Sequence, residues 1–436
     1  MTTIRAKDRD ALLQSLRAGV VPRAGQHLIQ VGRAREIESL LKDIERVGDA
    51  GAAFRVVIGE YGSGKTFFLN LVRSVAMEKK LVTAAADLNP DRRLHATGGQ
   101  ARSLYAELMR NLATRMRPEG GALGSVVEKF VSSVLQEAKS AGETPEAIIH
   151  EKLAALSELV GGFDFAQVIA AYWRGHDTGQ DALKQDAIRW LRGEFTTKTD
   201  ARQALGVRTI VDDDNFYDQL KLMARFVRLA GYGGLLVCLD ELVNLYKLHS
   251  LQARDSNYEQ ILRILNDSLQ GSCEGLGILL GGTPEFLMDT RRGLYSYSAL
   301  QSRLAENTFA KDDLVDFSHP VLRLATLSQE ELYVLLHKIR HVYAAGDSAR
   351  YLLPDEALQA FMAHCLQRVG EAYFRTPRNT ITAFVNLLAI LEQNPGSDWR
   401  ALLGQLAVQA DNGAVLESQT TEAGDTGDDE LASFKL

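Results

Sequence analysis

Apolar positions change their period several times along the chain. Residues 8–18 read as a short helix and 20–31 as an extended lead-in ending at Gly32-Arg33. Over 33–47, Ile37, Leu40, Leu41 and Ile44 recur at steps of three and four, which places them on one face of a helix. Residues 54–58 form a short apolar run with β-branched side chains and predict a strand. Phe68, Leu69, Val72 and Val75 then predict a helix over 66–77, and a second strand is expected at 81–88, closed by the turn signal Asn89-Pro90.

Residues 100–206 are rich in Ala, Leu, Glu and Arg at helical spacing, so a long helical insertion is expected there. After Asp214 come a helix to 230, a strand at 235–239, a helix at about 257–269 and a strand at 276–280. Strands alternating with helices call for a parallel sheet and an α/β class. An extended segment at 316–324 precedes helical blocks at 328–344, 354–369 and 377–393, read as a small helical domain. Beyond 410 the composition turns to Thr, Glu, Gly and Asp, which bury too little apolar area to offset chain entropy, and disorder is expected. The expected organisation is a lead-in over 1–31, an α/β core over 32–99 and 207–325, the insertion over 100–206, helices over 326–410 and an acidic tail over 411–436. No internal repeat is visible.

Length and charge refine this picture. A chain of 436 residues is long for one core and suggests two or three packed units. No apolar run approaches the ~20 residues that cross a bilayer, and no apolar signal core follows Met1, so no membrane contact and a cytoplasmic location are expected. Cys238, Cys273 and Cys365 lie far apart in apolar segments, without CxxC spacing, and read as buried thiols. The formal charge is −7, and the tail holds seven acids against one base, so the body is nearly neutral. A neutral body leaves DNA binding open in either direction.

The candidate chemistry begins between the first strand and its helix, at Gly59-Glu60-Tyr61-Gly62-Ser63-Gly64-Lys65-Thr66. Glycines at these steps let the backbone curl so that amide hydrogens face a phosphate, and the following helix adds its positive N-terminal end. Lys65 is expected to reach the β and γ oxygens of ATP, and Thr66 to hold Mg²⁺. At the end of the strand 235–239 stand Asp240, expected to bind Mg²⁺ through water, and Glu241, expected to deprotonate the attacking water. Two adjacent acids favour hydrolysis over binding alone, and speak against a kinase that must not waste ATP. Thr283, in Gly281-Gly282-Thr283-Pro284, is a candidate polar sensor. Arg303 is a candidate finger reaching a neighbouring subunit's nucleotide. In Thr376-Pro377-Arg378-Asn379, Arg378 is a candidate reporter of hydrolysis, with Arg375 its rival.

Taken in order, Val31-Gly32-Arg33, GEYGSGKT, CLDE, GGT, SR and TPR resemble a P-loop AAA+ ATPase of the initiator and helicase-loader type. Val20-Val21-Pro22-Arg23, the run from Asp87 to Leu94 and the ending Leu431-Ala432-Ser433-Phe434-Lys435-Leu436 look like the ATP-binding proteins of BREX phage-defence loci, of the BrxD-like kind. The resemblance implies that Val31, Gly32 and Arg33 adjoin the adenine pocket and that a helical lid follows the sheet. It further implies a homo-oligomeric ATPase working beside a helicase partner, as its switch or loader on DNA. The insertion is long for this class, and no winged helix is evident after the lid. A regulatory nucleotide switch that binds protein effectors through the insertion is the competing reading. The tail's Leu431, Phe434 and Leu436 are candidate anchors for a partner.

Overall fold

Five apolar runs pair into one parallel sheet in the computed structural model, which describes residues 4–23, 25–309, 315–369 and 377–405. They are β1 (Ala53–Gly59), β2 (Val82–Asp87), β3 (Leu235–Asp240), β4 (Leu276–Gly282) and β5 (Val321–Leu324), in the order β2-β3-β4-β1-β5. β1, β3 and β4 are buried along their whole length, as strands covered on both faces must be. β4 therefore lies between β1 and β3, and the C-terminal tips of all three point to one edge, where α/β sheets bind ligands.

Side chains alternate along β1, and each face meets different helices. The N-terminal helices are α1 (Ala6–Arg17), α2 (Gln26–Ile29), α3 (Ala34–Gly48) and α4 (Lys65–Glu78). Leu40 and Ile44 of α3 and Phe68, Leu69 and Val72 of α4 pack on Val57, Leu236 and Cys238. Phe54, Val56 and Ile58 face the other way, toward the helices that follow β2.

Those helices are α5 (Gln100–Arg110), α6 (Leu123–Ala141), α7 (Pro145–Ala154), α8 (Gly162–Asp177), α9 (Asp181–Leu191), α10 (Lys198–Leu205) and α11 (Phe216–Leu229). Leu104 and Leu108 of α5, Phe130 of α6, Phe165 of α8 and Phe226 of α11 belong to the same core as Val82 and Ala84 of β2. The helical segment after β2 thus shares its core with one face of the sheet. Thr83 of β2 also exchanges backbone hydrogen bonds with Ala113, which occupies part of that strand's outer edge.

After β3 come α12 (Val243–Tyr246) and α13 (Leu251–Gln270); after β4, α14 (Pro284–Met288) and α15 (Ser298–Leu304). α13 begins six residues before the apolar periodicity suggests, because the Ser250 hydroxyl accepts the Ala253 amide hydrogen at 3.2 Å and caps it. The extended segment expected over 316–324 shortens to β5. Ahead of it the Arg55 guanidinium donates to the carbonyls of Phe317 (2.9 Å) and His319, which draws this stretch off the sheet's ladder.

A separate core joins α16 (Gln329–Tyr343), α17 (Asp355–Val369) and α18 (Pro377–Gln393). α19 (Trp399–Gln405) adds Leu403 to it, a fourth helix beyond the three blocks expected within 326–410. Leu12 and Leu16 of α1 and Ile29 of α2 are part of this same core. The chain's beginning is therefore packed with its C-terminal helices, and the extended reading of 20–31 is corrected by the one-turn helix α2. Gln26 ties that turn down by donating to the Pro22 carbonyl at 2.7 Å. Arg375 and Thr376, and the tail with Leu431, Phe434 and Leu436, lie outside the described residues.

Candidate functional site

The glycine-rich loop joins β1 to α4, as the strand, loop and helix pattern requires. Gly62 and Gly64 take φ of +80° and +82°, a backbone that side-chain-bearing residues rarely adopt, and this turns the loop back over the start of α4. Lys65 Nζ donates to the carbonyls of Gly59 at 2.7 Å and Glu60 at 2.9 Å. Burial lowers its ammonium below the ordinary lysine value, while Asp240, Glu241, Glu60 and Glu285 pull the other way. Ser63 Oγ is buried with no hydrogen-bond partner, a donor still open beneath the loop.

Asp240 ends β3 opposite this loop. Thr66 Oγ1 donates to Asp240 Oδ2 at 2.6 Å, and the amide of Glu241 donates to Oδ1 at 2.9 Å. Hydroxyl and carboxylate oxygens so placed are the donors that hard divalent cations take. Glu241 sits at φ +59°, a left-handed turn unusual for glutamate. Burial raises its carboxyl above the ordinary range, with Asp240 and Asp87 adding to the effect and Lys65 and Lys247 opposing it.

Gly281 explains how this corner closes. A Cβ there would overlap Asp240 Oδ1 and press on Leu69, so only glycine leaves the carboxylate its place. The same segment leads into Thr283, at the tip of β4 between β1 and β3. Its hydroxyl accepts from the Phe286 amide at 3.4 Å and caps α14.

A cavity of about 220 Å³ opens from the loop toward the C-terminal helices. Tyr61 to Phe68 form one side, together with Glu241. Val20, Val21, Ile29, Val31, Ile37 and Leu335 contribute the apolar wall, of a kind suited to a flat heteroaromatic ring. Pro377 and Arg378, in the first turn of α18, close the far side. Arg33 also lines the cavity, at φ +58°. Its Nη2 donates to the Ser63 carbonyl (2.5 Å) and to the Ala325 carbonyl (2.9 Å), while Nη1 is buried without a partner. Gly32 beside it is covered by the Glu331 carboxylate of α16.

Of the residues singled out by sequence, the loop, Val31, Arg33, Asp240, Glu241 and Arg378 come together around these two adjoining features. Glu60 is exposed at the loop's rim. Arg303 is not among them: it is exposed on α15, where Nη1 donates to the carbonyl of Ala299 in its own helix at 3.0 Å. Asp87 had no role assigned, yet it ends β2 in register with Asp240. Burial and Asp240 raise its carboxyl above the ordinary range. An acid at the end of the preceding strand was the available signal. Gly281 carried none, because a glycine pair before Thr-Pro reads as a turn.

Among the described residues no helix is long and apolar enough to cross a membrane. No curated protein matches the chain. The family model described as "BREX system ATP-binding protein BrxC/D" matches residues 4–407. With that match running through the loop, the cavity and both helical regions, the chain belongs to the BREX system ATP-binding proteins of the BrxC/D family, which act in phage defence.

Proposed function

We propose that the chain is a Mg²⁺-dependent ATP hydrolase of the AAA+ kind, working as an oligomeric switch or loader on nucleic acid with a helicase partner. One arrangement carries the hydrolase reading: the Thr66 hydroxyl on the Asp240 carboxylate at 2.6 Å, with Glu241 next in the chain and Lys65 across from both. Mg²⁺, held by Thr66 and by Asp240 through water, would neutralise phosphate charge. Lys65 exchanges its loop carbonyls for phosphate oxygens and stabilises the same charge. Glu241 orients a water and takes its proton as the water oxygen bonds to the γ phosphorus and the bond to ADP breaks. Thr283, at the intervening strand tip, acts as the polar sensor, and Arg378 feels the nucleotide from α18.

The adenine ring fits the apolar wall that Val31 and its neighbours contribute, and Gly32 and Arg33 fix that wall to the loop. Arg303 fits a finger acting in trans: it is exposed and lies away from its own chain's cavity. The helicase partner, the loader role and DNA binding rest on the resemblance of the motif series. A signal-transducing switch has one observation in its favour, the core that the helices after β2 share with the sheet, through which a bound effector would be felt at β2 and β3.

The test is ATP turnover and nucleotide binding by the purified full chain and by Glu241→Gln. Turnover should fall by roughly 10²- to 10⁴-fold, the usual contribution of a general base, while ATP affinity is retained. Equal turnover in the two proteins refutes the assignment of Glu241. Native mass measurement of Glu241→Gln with ATP reads the oligomer directly. DNA-stimulated turnover favours the loader reading over the switch.

A further inference from the structure

A second cavity of about 380 Å³ adjoins the adenine-side pocket, sharing Val21 and Thr66 with it and adding Asp240. Its floor is one face of α4, where Thr66, Asn70, Arg73 and Ser74 follow at helical spacing and run away from the loop. Its walls bring together Arg23, from the segment before α2, and Asp87 and Arg92, from the end of β2 and the turn after it. These segments are remote in sequence, and the nucleotide reading uses neither arginine.

The polar groups are unevenly satisfied. Arg73 gives Nη1 to Asn70 Oδ1 at 3.0 Å, but its Nε is buried with no hydrogen-bond partner. A buried guanidinium hydrogen left unmade is costly, and an oxyanion is its natural acceptor. The Asn70 amide NH₂ has no partner among the described residues, and Arg23 is exposed and makes no ion pair among them. The carboxylates, by contrast, are mostly engaged. Glu107 is paired with Arg92 at 3.3 Å and Arg110 at 3.8 Å, and Asp240 accepts from Thr66 and the Glu241 amide. Asp87 stands beside Arg92 and Arg73, and Glu119 is exposed at the rim.

We propose that this cavity is a second phosphate-binding site, in which Arg73, Asn70 and Arg23 hold a small phosphate-bearing molecule separate from the nucleotide in the loop. The fork of Arg73 suits two phosphate oxygens at once, and Arg23 closes over the ligand from the N-terminal segment. The phosphate can be the one released from ATP, passing Thr66 on its way out, or the head of an independent phosphorylated metabolite. The site's position goes beyond the proposed ATP hydrolase; only the first source rests on that reading.

The experiment measures binding of radiolabelled inorganic phosphate to the full chain whose loop is filled with Mg²⁺ and a non-hydrolysable ATP analogue. Analogue binding is measured in parallel, so that failure of the loop is seen separately. A second arm uses Lys65→Ala without nucleotide, which disables the loop as a competing anion site. One phosphate per chain is expected in both arms. Arg73→Gln should weaken it roughly tenfold or more, as loss of a charge-assisted hydrogen bond does, and Arg23→Ala by a smaller factor. Arg23 is exposed, so its variant guards against misfolding of the other. No phosphate bound beside the analogue, or unchanged binding in both variants, overturns the proposal. Single-turnover kinetics then separate the sources. Slowed phosphate release with unchanged ATP cleavage in Arg73→Gln identifies the product, and unchanged release with lost binding identifies an independent ligand.

Discussion

Asp240 is held by contacts that leave it little freedom. Its two oxygens are taken by the Thr66 hydroxyl and the Glu241 amide, and the missing side chain at Gly281 leaves room for them. Gly281 sits inside β4, so alanine fits its backbone and the consequence is steric: the new methyl displaces the carboxylate. Gly281→Ala should therefore lower ATP turnover by roughly 10²-fold, the scale of a misplacement near 1 Å, and raise the Mg²⁺ concentration needed for half-maximal rate. Steady-state kinetics across a Mg²⁺ series check this, with thermal unfolding as the control for folding. Unchanged Mg²⁺ dependence would remove Gly281 from the metal corner. The loop, Asp240 and Glu241 were legible in sequence because each has a local signature, a glycine spacing or an acid pair ending an apolar run. Gly281 was not, because its reason is a contact with another strand.

The strands were read from apolar runs, and β1 shows what such a run hides. Arg55 lies within it, buried, with 7% of its side chain exposed, and its Nε meets Asp43 of α3 at 2.5 Å, itself 5% exposed. Its Nη2 also donates to the Ser39 hydroxyl at 3.3 Å and its Nη1 to the carbonyls of Phe317 and His319, so one guanidinium ties α3, β1 and the approach to β5. Removing it leaves the Asp43 carboxylate buried with, among the described residues, only the more distant Arg46 at 3.5 Å as an ion-pair partner. Arg55→Leu should cost about 3–5 kcal/mol, as breaking a buried pair does, and Arg55→Leu with Asp43→Leu should recover part of it. Chemical denaturation midpoints of the wild type, the single and the double variant measure both effects. Periodicity located the helices well where one face is apolar, as in α3 and α4. It could not show that α1 packs with α16 and α18, because a stripe announces that a face is buried and not what buries it. Single-turn helices such as α2 and α14 carry no stripe at all.

Two cores meet at the 220 Å³ cavity, one between the sheet and the helices α3 and α4, the other formed by the C-terminal helices with α1 and α2. Arg33 bonds the loop at Ser63 to the Ala325 carbonyl ahead of α16, and Arg378 reaches the cavity from α18, so a nucleotide bound there would touch both bodies. Arg303, though, stands outside this arrangement: its guanidinium is exposed, bonds its own helix among the described residues and does not line its own chain's cavity. If it serves a neighbour, the defect of Arg303→Ala is supplied from outside the chain, whereas that of Glu241→Gln is carried within it. Each variant alone should then be nearly inactive, since a finger in trans is worth about 10³- to 10⁵-fold. Mixed, they form some junctions in which an intact Glu241 faces a neighbour's intact Arg303, and part of the turnover returns. That recovery should rise with protein concentration and disappear on dilution below the assembly threshold. Rate measurements on the mixture against the sum of the separate variants read it directly. A mixture no faster than that sum assigns Arg303 to its own chain's surface and leaves the junction without its finger.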